Sequence, residues 1–360
     1  MKTLKTITKK GMILSLVLAT GLAGSAVASA QNSTSNTEAQ AVIANSTSNF
    51  SKVELNGPKQ LSKQNAKLIQ DFYSAFLRGD MEGVTKYISG DFIMHVPGKG
   101  LNAGEYWGAD GLKKFASNIF AYNGGAFNMK VPTLAVSGDT AFTQEIIQLN
   151  RKQDPKRMFE LRFTMQYSIK NGKVSEAWTI PDDLYAYDDY WTPPVKGTAT
   201  SITLAPTKDN GSSQNQPGPS TKGAVSKENY DLVKDLYNDF WEGNLEGVKA
   251  KFADNLELTV AGKNPIAGTY HGWDGFIKFR TNLMNLGADK YKLEINTMAA
   301  GKNDVFVKEY IRMNRKWDPT PQVVPAVIMH FHIENGKITK IRDIAVDQLA
   351  YDEFFTPPTK

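Results

Sequence analysis

SKQNAKLIQDFYSAFLRGDMEGV, residues 62–84, recurs as SKENYDLVKDLYNDFWEGNLEGV at residues 226–248. Ser62 and Ser226 lie 164 positions apart, and the offset holds without a gap to the end of the chain. Gly104-Glu105-Tyr106 pairs with Gly268-Thr269-Tyr270, and Asn150-Arg151-Lys152 with Asn314-Arg315-Lys316. Asn171-Gly172-Lys173 pairs with Asn335-Gly336-Lys337, and Thr192-Pro193-Pro194 with Thr356-Pro357-Pro358. A period this long marks a duplicated domain and not a solenoid, whose repeats run to about 20–50 residues.

Each copy has the same predicted order. Ser62 is placed to cap a helix whose apolar side is Ile69, Phe72, Tyr73, Phe76 and Leu77, and Gly79 ends it. Asp80 caps a short second helix carrying Val84, Tyr87 and Ile88. FIMHV, residues 92–96, reads as a strand ended by Pro97-Gly98. Asp110 caps a third helix with Leu112, Phe115 and Ile119 on one face. Runs of β character follow at 127–136, 140–150, 159–169 and 173–180, and Asn171-Gly172 is a tight hairpin turn. Three helices before an antiparallel sheet make an α+β fold, present twice.

Outside the copies the composition changes. Lys2, Lys5, Lys9 and Lys10 precede a short apolar stretch from Met12 to Ala23, and Ala28-Ser29-Ala30 is a small-x-small cleavage pattern. Residues 1–30 therefore read as a signal peptide, which implies export to the periplasm or the extracellular space. Residues 31–58 and 196–224 are rich in small and polar residues and read as a flexible leader and linker. The folded copies are assigned to 59–195 and 225–360.

The 360-residue chain has a formal net charge of +5. Four lysines of the signal peptide carry most of it; without them 38 basic side chains face 37 acidic ones. No basic run is interleaved with aromatics, so nucleic acid is not an expected partner. No stable membrane anchor is expected in the mature chain. The absence of cysteine excludes disulfides, thiol nucleophiles and zinc–thiolate sites. HExxH, GxSxG and Walker A motifs are also absent, and no cofactor is expected.

The order and its motifs resemble the NTF2-like superfamily, in its SnoaL-like polyketide cyclase and ketosteroid-isomerase branch. The residues that carry the resemblance are Gly79-Asp80-Met81-Glu82, His95-Val96-Pro97-Gly98, Ala103-Gly104-Glu105-Tyr106-Trp107-Gly108-Ala109-Asp110-Gly111 and the Asn-Gly-Lys turn, with their counterparts in the second copy. The resemblance implies two tandem cones, each a curved sheet wrapped over helices around an apolar pocket. It also implies sheet-mediated pairing, as a pseudo-dimer within the chain or as a homodimer. The family includes isomerases, cyclases, dehydratases and pure binding proteins, so the fold leaves the activity open.

The resemblance implies a catalytic Asp before a Pro in ketosteroid isomerases; Val96 and Val260 stand there, and valine accepts no proton. It implies an acid at the end of the last strand in the cyclases, for which Asp183 and Asp347 are the nearest candidates, either as pocket acids or as turn caps. His95 is a candidate polar handle or acid/base of the pocket, with a surface or hydrogen-bonded structural histidine as the alternative, and Thr259 replaces it in the second copy. Tyr73 and Tyr237 on the first helices, and Trp107, Trp178, Trp241 and Trp273, are candidates to line a ligand pocket, with core packing as the alternative. His330 and His332 share one face of a strand, a spacing open to a metal, but with no third ligand; that face is expected toward solvent or the other domain. Glu145 and Glu309, near Arg151 and Arg315, read either as polar pairs within the sheet, since a buried acid needs such a partner, or by default as surface cross-strand ion pairs.

Three functions fit: a binder of small apolar or aromatic ligands, an acid/base enzyme of cyclase, isomerase or dehydratase type, and an interaction protein working through its paired surface.

Overall fold

A computed structural model describes residues 59–192, 218–287 and 291–359. The expected signal peptide, the leader and residues 196–217 of the expected linker lie outside the described residues.

The first copy begins with α1 (Lys59–Leu77), α2 (Met81–Thr85), β1 (Ile88–Val96), β2 (Gly104–Trp107) and α3 (Gly108–Tyr122). It continues with β3 (Asn123–Ser137), β4 (Thr140–Arg151), β5 (Asp154–Lys170), β6 (Lys173–Pro181) and α4 (Leu184–Trp191). The second repeats this as α5 (Lys227–Glu242), α6 (Leu245–Ala250), β7 (Phe252–Val260), β8 (Gly268–His271) and α7 (Gly272–Asn285). It closes with β9 (Lys292–Ala300), β10 (Asp304–Arg315), β11 (Asp318–Glu334), β12 (Lys337–Ala345) and α8 (Gln348–Phe355).

The spacing of Ala66, Ile69, Phe72, Tyr73 and Leu77 turns one side of α1 into the cone, and all five are buried. The backbone leaves α1 at Gly79 (φ +73°), where a side chain would be strained. Asp80 then caps α2, accepting from Gly83 N at 2.7 Å. Two local expectations shift. Ser226 caps α5 by accepting from Asn229 N at 3.2 Å, but α1 starts three residues before Ser62, whose hydroxyl instead accepts from Gly138 N at 3.0 Å. The third helix begins at Gly108, so Asp110 sits in its first turn rather than at its cap.

Each copy forms a six-stranded sheet, ordered β2-β1-β6-β5-β4-β3 and β8-β7-β12-β11-β10-β9. The long hairpins are antiparallel, with Asn171 (φ +51°) and Gly172 (φ +69°) in the tight turn. The sheet is mixed rather than wholly antiparallel, because β6 meets β1 in parallel, with Met94 opposite Ala177. The chain leaves β1 through β2 and α3 and re-enters at the far edge, so three hairpins later it arrives beside β1 in the same direction.

The terminal helices α4 and α8 were not expected. Asp183 and Asp347 start them, and Leu184, Tyr187, Tyr190 and Trp191 turn inward to close the first cone. Two devices hold α4. Asp188 accepts from Lys99 N at 2.9 Å and Gly100 N at 3.0 Å. Gly98 (φ +99°) makes room, since a Cβ there would meet Asp188 at 2.3 Å. Arg151, fully buried, donates to the Asp189 and Thr192 carbonyls at 2.6 and 2.8 Å, satisfying the helix end.

The two copies form one compact unit. Their sheets meet through Ala135, Phe142 and Ile180 on one side and Ala299, Phe306, Ile328 and Ile344 on the other. Phe142 stacks on its own counterpart Phe306, ring centroids 5.4 Å apart and 8° from parallel. Thr133 donates to Asp304 at 2.9 Å and Lys308 to Gln166 at 3.0 Å across this surface. Residues 218–224, the end of the segment read as a flexible linker, are seated on the first copy: Pro219 O accepts from Gln70 and Ala224 O from Val136 N.

Candidate functional site

Each sheet turns its alternate residues into a cone, and the helices and the terminal helix close it. The first cone holds a cavity of about 80 Å³, walled by Phe72 and Phe76 of α1, Phe92 and Met94 of β1, Leu112 of α3 and Trp191 of α4. The second holds about 100 Å³, walled by Leu236, Phe240, Phe276, Leu283, Met329 and Phe355 among others. These are apolar chambers with a few convergent polar groups, the general form of a small-molecule site.

The shared polar group is a glutamate. On β4, Glu145, Ile147 and Leu149 all face the first cavity, following the two-residue period of a strand. Tyr73 of α1 stands behind Glu145 and donates to Glu145 Oε1 at 2.5 Å; its hydroxyl also meets Thr143 at 2.8 Å and Tyr167 at 2.5 Å. Burial raises the Glu145 carboxyl to about 7, against the opposing hydrogen bond from Tyr73. Burial, reinforced by the Glu145 charge, pushes Tyr73 far above the usual phenol range. In the second cone Tyr237 lines the cavity and donates to Glu309, whose carboxyl burial raises to about 8, with the nearby Asp343 adding to the rise. The second network is thinner, because Thr143 and Tyr167 are replaced by Val307 and Phe331.

The second cone carries more charge than the first. Asp343 of β12 faces it and is 7% exposed. Its Oδ2 accepts from Tyr351 at 3.1 Å, and its Oδ1 has no partner among the described residues. Burial raises this carboxyl to about 6. Arg280 of α7 also lines the cavity, its guanidinium 4.5 Å from the centre of the Phe240 ring.

The residues expected as site residues are dispersed. Asp183 and Asp347 line neither cavity; both are exposed helix caps, accepting from Ala186 N and Ala350 N at 3.0 Å, so of the two expected placements they take the cap. His95 lies on the outer face of β1, one step out of phase with the inward Met94; it meets Glu176 at 2.9 Å and stacks on Trp178 at 5.3 Å. Trp107 is 63% exposed at the start of α3. Trp178 lies on the outer face beneath Lys308, and Trp241 and Trp273 pack outside the second cavity against Tyr237 and Phe276. Val96 and Val260 are buried and bring no acid to their positions. Tyr73 and Tyr237 are the expected residues that the fold brings to the cones, one behind the polar group and one at the wall.

Glu145 and Glu309 are not surface ion pairs with Arg151 and Arg315. They point inward to tyrosines, while Arg151 is spent on the end of α4. The period-two alternation with Ile147 and Leu149, and with Ile311 and Met313, is the signal that places them inside. The same parity in Ile341, Asp343 and Ala345 marks Asp343. His330 and His332 do face the other copy. Both meet Asp304 Oδ1 at 2.8 Å, and among the described residues no three such side chains are grouped to hold a metal. Burial would raise Asp304, but the two histidines hold it well below the usual carboxylate range.

No described helix is long and apolar enough to cross a membrane. No curated protein matches the chain. Among solved structures it is similar to Bal32a from a soil-derived mobile gene cassette, at 24% identity over 36% of this chain and 98% of that one, TM-score 0.34. It is similar to an NTF2-like protein from Burkholderia xenovorans, at 19% identity over 36% of this chain and 98% of that one, TM-score 0.33. TerC, crystallised with polyporic acid, is 19% identical over 35% of this chain and 97% of that one, TM-score 0.32. Each likeness concerns one copy at a time and bears on no activity. The model of the SnoaL-like domain matches residues 69–177 and again residues 233–341, more than half of the chain, and the protein belongs to that family as a tandem of two SnoaL-like domains.

Proposed function

We propose that the protein is exported and binds a small, largely apolar ring compound in each cone, with Glu145 and Glu309 as hydrogen-bond donors to it. The observation that carries this is a buried glutamate carboxyl at the same position of each apolar chamber, held by a tyrosine of the first helix and raised to about 7 or 8. A neutral acid in such a place donates to a carbonyl or hydroxyl of a ligand without the cost of a buried charge. The basic, apolar and small-residue sequence of the first thirty residues supports export. The stack of Phe142 on Phe306 supports reading the two copies as a dimer built into one chain.

Native mass spectrometry of protein recovered from the medium or periplasm of an exporting host tests the reading. The expected result is a chain beginning after Ala30, with the mass of one chain plus one or two small molecules that unfolding releases. A retained N-terminus counts against export, a two-chain mass counts against the built-in dimer, and cones that stay empty in native extracts and with aromatic probes count against binding.

A second reading, proton transfer in the second cone, is favoured by Glu309 and Asp343, two carboxyls of unequal acidity in one cavity. It predicts exchange of the α-protons of 2-tetralone in D2O, followed by NMR, lost in Asp343→Asn. Exchange at the rate of buffer alone counts against it.

A further inference from the structure

The duplication supplies its own control, because every position of one cone has a counterpart in the other. Where the second cone has Arg280, Tyr291 and Asp343, the first has Ala116, Phe127 and Thr179. The glutamate and its tyrosine are kept in both copies. A chamber that only had to be filled by an apolar ring gains nothing from a carboxylate and a guanidinium. The first copy shows that the same fold is built with an alanine and a threonine there.

The two charged groups are also left open toward the cavity. Asp343 is buried with Oδ1 unpartnered among the described residues, an arrangement that costs free energy until a donor reaches it. Tyr351 already occupies the other oxygen, so Oδ1 is the atom that a donor on a bound molecule would reach. Arg280 is steadied by ring faces, 4.5 Å from the centre of Phe240 and 5.7 Å from that of Tyr291, and by a hydrogen bond with the Tyr291 hydroxyl; its charge reaches the Glu309 carboxyl, but it forms no close ion pair among the described residues. With five N–H donors and one of them on Tyr291, the guanidinium keeps donors for a carboxylate. The rest of the wall is apolar and aromatic, including Phe279, Leu293 and Phe331.

We propose that the two cones differ in what they hold: the second takes an aromatic hydroxy acid, with its carboxylate on Arg280 and its hydroxyl donating to Asp343 Oδ1, whereas the first takes an uncharged ring compound. This rests on the reading of both cones as ligand sites and names the ligand class of one of them.

Calorimetric titration of the full chain with 6-hydroxy-2-naphthoate and, separately, with naphthalene tests the proposal. The titrations are run near pH 7, above the value of about 6 to which burial raises Asp343 and not above those of Glu145 and Glu309. Hydroxynaphthoate is expected to bind at one site per chain. Arg280→Ala and Asp343→Asn should each weaken it by about tenfold or more, the scale of a hydrogen bond to a charged group. Ala177→Trp, which fills the first cone, should leave it unchanged. Naphthalene is expected at two sites, one of which Ala177→Trp removes. Melting curves check that the variants fold, and Asp343→Thr, which installs the first copy's own residue, serves if the asparagine variant does not. Hydroxynaphthoate binding equally at two sites, failing to bind while naphthalene binds, or binding unchanged in the Arg280 and Asp343 variants overturns the division and leaves the ligand reading standing. Failure of both probes to bind overturns both.

Discussion

Glu145→Gln should stabilise the protein in alkaline solution and do little in acid. Glu145 is 8% exposed, and burial raises its carboxyl from 4.5 to about 7. The folded state thus holds this proton more tightly than the unfolded chain does. As pH rises from about 4.5 to about 7 the unfolded chain has already released the proton, so stability falls through this window and levels off above it. A rise of two to three units at about 1.4 kcal/mol each corresponds to about 3 kcal/mol. Glutamine removes the titration, and its amide oxygen still accepts from Tyr73. Urea unfolding, followed by circular dichroism and tryptophan fluorescence, is compared near pH 5 and near pH 8.5. The variant should lie within about 1 kcal/mol of the unmodified protein in acid and exceed it by about 2–3 kcal/mol in base. The other raised carboxyls, Glu309 and Asp343, are common to both proteins and cancel in the difference. A variant that tracks the unmodified protein at both pH values would refute the neutral buried carboxyl and the donor role built on it.

Other substitutions probe the frame. Phe142→Ala should cost about 3–5 kcal/mol, the range for a buried aromatic, and split the thermal transition in two as the sheets lose their central stack; one unsplit transition in calorimetry counts against that role. Arg151→Met should lower stability by about 2–3 kcal/mol, because the carbonyls ending α4 lose their donor; an unchanged urea midpoint counts against it. Asp183→Ala and Asp347→Ala should each cost about 1 kcal/mol, as lost helix caps do, and leave naphthalene affinity unchanged; weakened binding would return these acids to the cones.

The duplication and the α+β order were legible in repeat, periodicity and turn signals, whereas the cone came only with the family resemblance. The 164-residue offset, the apolar side of α1 and the Asn171-Gly172 turn each speak for themselves. The polar site was less legible, because it depends on strand parity and on what a strand faces across the cone. Glu145 sits in an apolar run and resembles a cross-strand ion-pair member until Ile147 and Leu149 are counted in phase with it. The terminal helix α4 had a readable signal in Asp183 followed by Leu184, Tyr187 and Trp191, and reading the acid as a strand-end residue hid it. The outward placement of His95 and Trp178 follows from the same parity, since Met94 and Ala177 are the inward residues. The parallel meeting of β1 and β6 joins strands more than seventy residues apart, and no local pattern announces it.

Diffraction from crystals soaked in 2-bromonaphthalene tests the central claim most directly, since bromine reports its own position by anomalous scattering. The account predicts bromine inside both cones, with the ring against Phe72 and Leu112 in the first and against Phe276 and Leu283 in the second. Bromine confined to the outer surface, with both cones filled by side chains, would contradict it.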